Sequence, residues 1–306
     1  MKRYLSTLVL LTLSLLIPFS QLGMAQPTGP QEHVPLTLVQ IIGRSDSTVH
    51  VRVSDGSGKF AIVEVLETLI GSDPGQRLRI DFRDLNLSLK GQEAVVFEKG
   101  EEDILFLHRP EWRKPTAKNA DVFELLHGRR GRMLLPPEGS DLYVVAVRRL
   151  GPIAKQDPIE QVESLRGLLQ SDNRILREAG LAEISRLGAL STSDLPVLIH
   201  LASDPSAGMR ERSLEQIRLV MKSAGGGEDE ELRRALEAAR EKARNDPDEH
   251  VRAQAVRTTS SWSHREDVIP DLKAIASIDP SQLVRYEAQR VLFLWGVATG
   301  SSAGAP

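Results

Sequence analysis

LREAGLAEISRL (176–187), MRERSLEQIRLV (209–220), VRAQAVRTTSSW (251–262) and VRYEAQRVLFLW (284–295) align without a gap. Their first column is apolar: Leu176, Met209, Val251, Val284. The second is always arginine: Arg177, Arg210, Arg252, Arg285. The fifth is small: Gly180, Ser213, Ala255, Ala288. The ninth holds Ile184, Ile217, Thr259 and Leu292, and the twelfth Leu187, Val220, Trp262 and Trp295. Offsets of 0, 4, 8 and 11 fall on one face of an α-helix. A small side chain one turn in lets a neighbouring helix approach closely. Four such helices in one chain are an internal repeat, and repeats decide architecture before any local reading does.

Working outward, an aspartate stands five or six residues before each arginine: Asp172, Asp204, Asp246 and Asp279. Three of the four are Asp-Pro, a pair that closes one helix and opens the next. The segments ahead of these helices also match. LPVLIHLASDP (195–205) parallels IPDLKAIASIDP (269–280), with Pro196 and Pro270 where a first turn tolerates proline. Asp157-Pro158-Ile159-Glu160 reads as the N-cap of the helix that opens the array. The longer spacing between Arg210 and Arg252 is accounted for by the insertion AGGGEDEE (224–231).

This Asp-Pro…Val-Arg…Ala pattern resembles HEAT repeats over residues 157–297. The resemblance implies helix pairs stacked into an α-α superhelix, with Asp172, Arg177, Asp204, Arg210, Asp246, Arg252, Asp279 and Arg285 forming an internal ladder between repeats. The third repeat departs from it at Thr259 and is expected to be the least stable.

Residues 34–150 read differently, as short apolar runs broken by turn residues. Strands are expected at 36–42, 48–53, 60–69, 77–82, 94–97, 104–108, 132–135 and 142–147. Val51 and Val53, then Leu78, Ile80 and Phe82, alternate with polar neighbours. Asp55-Gly56, Asp73-Pro74-Gly75 and Pro136-Pro137 are turns. These signals point to a small barrel or sandwich. VEVLETLIG (63–71), KGEEDILFLHRP (99–110) and GRRGRMLL (128–135) give this region a resemblance to an OB-like β-module of exported bacterial proteins, the barrel also seen in tissue inhibitors of metalloproteinases. Those inhibitors act through an N-terminal cysteine that this chain lacks.

The expected organisation is therefore multidomain, β then α: a signal peptide (1–25), a linker (26–33), the β-domain (34–150), the helical array (151–297) and a flexible tail (298–306). Lys2 and Arg3 precede an apolar run from Leu5 to Phe19, and Gly23 and Ala25 suit cleavage before Gln26. The run is short for a membrane span and Pro18 interrupts it. The expected location is the periplasm, with release outside the cell as the alternative, and no transmembrane span is expected in the mature chain. Cysteine is absent. That excludes disulfides, thiolate metal sites, cysteine nucleophiles and a lipidated N-terminal cysteine.

Residues 26–150 carry 17 Lys and Arg against 18 Asp and Glu, and residues 151–306 carry 20 against 24. Neither half has the basic excess of a nucleic-acid binder. The seven histidines are scattered without zinc-ligand spacing, so no metal is expected. Asp55–Phe60 (DGSGKF) lacks the first glycine and the Ser/Thr of a phosphate loop, and Gly71–Gly75 (GSDPG) is no nucleophile elbow. No cofactor loop or catalytic set stands out.

Two groups remain as candidate binding residues. Tyr286, Arg290 and Phe293 take offsets 2, 6 and 9 of the last helix, where earlier repeats place polar or small residues; two aromatics and an arginine there have the composition of an interface hot spot. The alternative is that the tail or a preceding helix covers them. Arg129, Arg130 and Arg132, with Arg109, Arg113, Lys114 and Lys118, form a basic cluster suited to an anionic cell-envelope polymer. The expected function is an exported, non-enzymatic scaffold whose array binds another protein. The rivals are inhibition of an extracellular peptidase by the β-domain and an enzyme-associated, lyase-type HEAT-like role.

Overall fold

Thr37 starts the first element. Its hydroxyl accepts the Gln40 N–H while the Gln40 side chain accepts the Thr37 N–H, a two-way cap on α1 (Leu38–Arg44). The strand expected over 36–42 is therefore replaced by the Thr37 cap and a helix from Leu38; the β-branched run is overruled by the cap and by burial of Val39, Ile41 and Ile42. The computed structural model describes residues 36–56, 60–82, 96–109, 116, 120–225 and 229–298. The expected signal peptide and linker lie outside them, as does the tail beyond residue 298.

Among the described residues six strands come next: β1 (Ser47–Asp55), β2 (Phe60–Gly71), β3 (Arg77–Asp81), β4 (Glu102–His108), β5 (Val122–Leu125) and β6 (Arg132–Leu134). The order is β1-β2-β3-β5-β4, and β4 pairs back onto β1, so five strands close into a barrel. All neighbours are antiparallel except β3 and β5, which run parallel. The short β6 shares the outer edge of β4 with β5. Val51, Val53, Leu78, Ile80, Leu105, Leu107 and Phe123 fill the interior, as strict alternation requires. The β2–β3 connection needs glycine at Gly71, where φ is +86° and a Cβ would lie 2.3 Å from the Asp46 carbonyl oxygen.

On β4 the alternate residues Ile104 and Phe106 face outward and join a second core. That core runs through α1 and α2 (Ser140–Ile153) into the rest of the chain as far as Leu292. A strand at 142–147 was expected. The buried residues Val144, Val147, Leu150 and Gly151 instead follow helical spacing. α2 runs across residues 150 and 151, so the boundary expected there falls inside a helix. The described residues all belong to one unit, Leu36–Pro306. Val96 and Phe97, at the end of the strand expected over 94–97, are not in a strand, and β5 was not anticipated.

Among the described residues eight α-helices follow in four pairs: α3 (Pro158–Leu168) with α4 (Arg174–Arg186), α5 (Leu195–Leu201) with α6 (Ala207–Ser223), α7 (Glu230–Asn245) with α8 (Glu249–Thr259), and α9 (Ile269–Ile278) with α10 (Gln282–Leu294). The second helices also stack in succession, α4 on α6, α6 on α8 and α8 on α10. This is a helical repeat array. Asp157 caps α3 by accepting the Ile159 and Glu160 N–H groups, with Pro158 in the first turn. Columns one, five and nine are buried throughout. At Gly180 an added Cβ would lie 3.2 Å from the Leu165 carbonyl oxygen, a tight approach between α3 and α4. Thr259 in the third repeat is buried, and its hydroxyl bonds to the Val256 carbonyl.

Candidate interaction surface

Three of the four column-two arginines bracket neighbouring repeats. Arg177 donates through Nε and Nη2 to Asp204 at 3.0 and 2.6 Å, Arg210 to Asp246 at 2.8 and 2.8 Å, and Arg252 to Asp279 at 3.0 and 3.1 Å. The acceptor always belongs to the following repeat. The remaining Nη1 turns back to the carbonyls six and five residues earlier: Ser171 and Asp172, Asp204 and Pro205, Asp246 and Pro247, Asp279 and Pro280. Each ladder aspartate also accepts the N–H two residues on, at Ser206, Asp248 and Ser281. The pairs are nearly buried, and the bond to Asp246 raises the affinity of Arg210 for its proton against the opposing effect of burial. Forked arginine–carboxylate bonds of this kind fix geometry as well as charge.

The equivalence shifts at the first repeat. There the residue six before the arginine is Ser171, and Asp172 sits one place later, exposed, contributing only its carbonyl. Asn173 caps α4. Asp172 is thus not a rung of the ladder. At the other end, Arg285 holds the Asp279 and Pro280 carbonyls through Nη1, while its Nε and Nη2 have no hydrogen-bond partner among the described residues.

A second contact runs between the second helices. Gln254 on α8 reaches Glu215 on α6, and Arg257 on α8 donates to Glu287 on α10 at 3.1 Å. Offset 6 of one helix therefore meets offset 3 of the next. In α10 the offset-6 residue is Arg290, which folds back to Glu287 in its own helix at 2.8 Å. On the same side Tyr286 is 60% and Phe293 80% exposed, flanked by Leu294 at 66%. No preceding helix covers them. The matching residue to Tyr286 in α8 is Ala253, fully buried. Sequence reading singled out Tyr286, Arg290 and Phe293 but missed the open fork of Arg285, because all four arginines look alike in an alignment.

Of the basic cluster, the side chains of Arg109, Arg130 and Arg132 lie among the described residues. Arg132 is only 12% exposed. It donates to Asp103 at 2.9 Å, to Glu101 at 2.6 Å and to the Val96 carbonyl, and its guanidinium lies 4.3 Å from the centre of the Phe97 ring. It closes an end of the barrel. Burial pushes the Asp103 carboxyl above its ordinary range, against the pull of Arg132. Arg109 lies over Phe123 and donates to the Ala120 carbonyl. Arg130 is exposed in the 3-10 turn Gly128–Gly131. The Arg129 side chain and residues Arg113, Lys114 and Lys118 lie outside the described structure. A cavity of about 700 Å³ opens near this end, lined by Glu101, Glu102, Leu134, Leu135 and Tyr143. Among the described residues no group of three or more His, Asp or Glu is placed to hold a metal ion, and no helix is long and apolar enough to cross a membrane.

No family model and no curated protein matches the chain. Among solved structures, it is similar to a designed armadillo repeat protein in complex with the peptide (KR)4, at 16% identity and a TM-score of 0.36 over 49% of this chain and 75% of that one. A second designed armadillo repeat protein gives 17% and 0.34, over 52% and 77%. An engineered protein gives 18% and 0.33, over 52% and 76%. Likeness this distant carries neither fold nor function; the array rests on its own helix pairs and ladder.

Proposed function

We propose that this chain is an exported, non-catalytic scaffold of HEAT type, whose array engages another protein through its C-terminal end. The observation that carries the reading is the exposure of Tyr286 and Phe293 on the last helix. Terminal repeats that end an array usually turn a polar face to water. Here the end carries two aromatics and arginines, residue types enriched at interfaces, beside the exposed Leu294. The Asp-Pro turns and the arginine ladder support the HEAT type, and the closed strand order with β3 parallel to β5 supports an OB-like barrel. Arg130 is exposed and supports contact with an anionic envelope polymer, whereas Arg132 is engaged by Glu101 and Asp103; the exposed aromatics of the last helix favour a protein partner.

Residues 26–306, immobilised and exposed to an envelope extract, should retain a defined partner that the Tyr286→Ala, Phe293→Ala double variant does not, at unchanged melting temperature. Equal capture by the folded double variant would move the binding face elsewhere. Export is read from residues 1–25, and mass spectrometry of the native protein should find its N-terminus near Gln26. Intact Met1 in the membrane fraction would defeat it.

A further inference from the structure

We infer that the C-terminal end of the array is an open copy of its internal junction, built to receive a helical segment that brings a carboxylate to Arg285. The inference rests on the proposed function and names the chemistry of its partner. Three inner junctions close the same way: a forked arginine takes the aspartate ahead of the next second helix. Arg285 has the same place on α10 and the same Nη1 bonds to the carbonyls behind it. Its Nε and Nη2, the edge that grips the carboxylate elsewhere, are unengaged among the described residues. Arg290 repeats the position of Arg257, which takes Glu287 from the following helix. The open end thus offers an unengaged Arg285 where all three inner junctions receive an acid, and Arg290, paired within its own helix to Glu287, where the α8–α10 junction receives one, beside exposed apolar side chains.

Other occupants fit less well. Residues 295–306 contain neither Asp nor Glu and nothing larger than valine beyond Trp295, so they bring no acidic side chain to Arg285 and little to cover Phe293. A second copy packed on this face about a two-fold axis would lay the same patch against itself, with Arg285 and Arg290 contributed from both sides. The chain itself shows what a fitting occupant looks like. Residues 278–294, IDPSQLVRYEAQRVLFL, carry Asp279 to Arg252 and Glu287 to Arg257. A partner of this class is an amphipathic helix with an aspartate at its N-terminal turn and a glutamate two turns on.

The test uses that segment as the probe. A fluorescein-labelled peptide of residues 278–294 is titrated with the full mature chain and followed by anisotropy, beside the same peptide carrying Asp279→Asn. The protein is used unchanged, with Arg285→Lys, which keeps the charge and loses the planar fork, and with Tyr286→Ala plus Phe293→Ala. Saturable binding is expected, weakened about tenfold or more by Asp279→Asn, the loss of one charge-assisted pair. Arg285→Lys should weaken the unchanged peptide and add nothing further to Asp279→Asn, as coupled partners require. Its melting temperature shows whether the last repeat stays folded. If both peptides bind alike, or neither saturates, the inference is overturned. If the aromatic double variant loses binding while Asp279→Asn and Arg285→Lys have no effect, the proposed binding face stands and the carboxylate inference falls. If the reverse holds, the carboxylate inference stands without the aromatic face. Concentration-dependent dimers in sedimentation, abolished by Phe293→Ala, would assign the face to a second copy and overturn it as well.

Discussion

The two ends of the array are finished differently. At the first repeat the ladder position holds Ser171, so no acid is left waiting for an arginine that does not exist, and α1 and α2 pack against α4. The Glu183 carboxylate on α4 also accepts from Thr37 at the start of α1. That end is closed by the rest of the chain. The last repeat keeps Arg285 after the final rung, and its outer side carries Tyr286 and Phe293 in the open. Among the described residues the same repeat chemistry is therefore terminated once and left unterminated once. A buried arginine stripe is structural wherever the next repeat supplies an aspartate; only where none is supplied does it become available for recognition.

The sharpest way to break this contrast is to remove an inner and an outer arginine separately. Arg252 and Asp279 are each 8% exposed. Arg252→Ala leaves Asp279 buried without its counter-charge, and the expected loss is about 3–5 kcal/mol. Arg285→Ala removes a guanidinium that holds only two carbonyls, and the loss should stay near 1 kcal/mol or below. Urea unfolding of both variants checks the pair. Equal losses would mean that Arg285 is already engaged as the inner arginines are.

Packing gives the next contrast, within one helix. Ala288 is fully buried where α10 meets its neighbours, and Leu292 closes the same face. Ala288→Leu should destabilise by about 1–3 kcal/mol through overpacking, and Leu292→Ala by about 2–5 kcal/mol through the cavity it leaves. The exposed pair Tyr286→Ala and Phe293→Ala should change stability by no more than about 0.5 kcal/mol per site. A melting temperature that falls as far for Phe293→Ala as for Leu292→Ala would place Phe293 in the core.

The array was legible because its columns repeat: a helix that recurs four times with arginine, a small residue and apolar positions in fixed places leaves little freedom. The slip at Asp172 came from aligning on residue type, whereas the backbone bonds of Arg177 count six residues back, to Ser171. The barrel was legible where strands alternate, as at Val51, Val53, Leu78 and Ile80. It was misread at 36–42 and 142–147, where β-branched residues populate helices whose signals were a Thr37/Gln40 cap and a three- and four-residue burial spacing. β5 is four residues long and offers no periodicity. Arg132 looked like its charged neighbours because its partners, Asp103 and Glu101, reach it only through the β4–β6 pairing. The open fork of Arg285 is likewise decided in space, because among the described residues no further repeat brings an aspartate to it.

The smallest expected effect concerns acid. At the closed junction between α6 and α8, Glu215 accepts from Arg218 and from Gln254. The Arg218 bond, against the opposing effect of burial, holds the Glu215 carboxyl below its ordinary value of 4.5. A carboxyl lowered in the folded state stabilises above its unfolded value and loses that contribution as pH falls through the folded one. Glu215→Gln should therefore leave a flatter dependence of the urea midpoint on pH below about 4.5, with the difference from the unchanged chain largest near neutrality and closing in acid. Because Glu215 is 36% exposed at its side chain, water screens much of the interaction and the change is modest. The midpoint measured from neutral pH downward decides it: parallel curves for the two proteins would mean that this junction, unlike the ladder beside it, is held by packing alone.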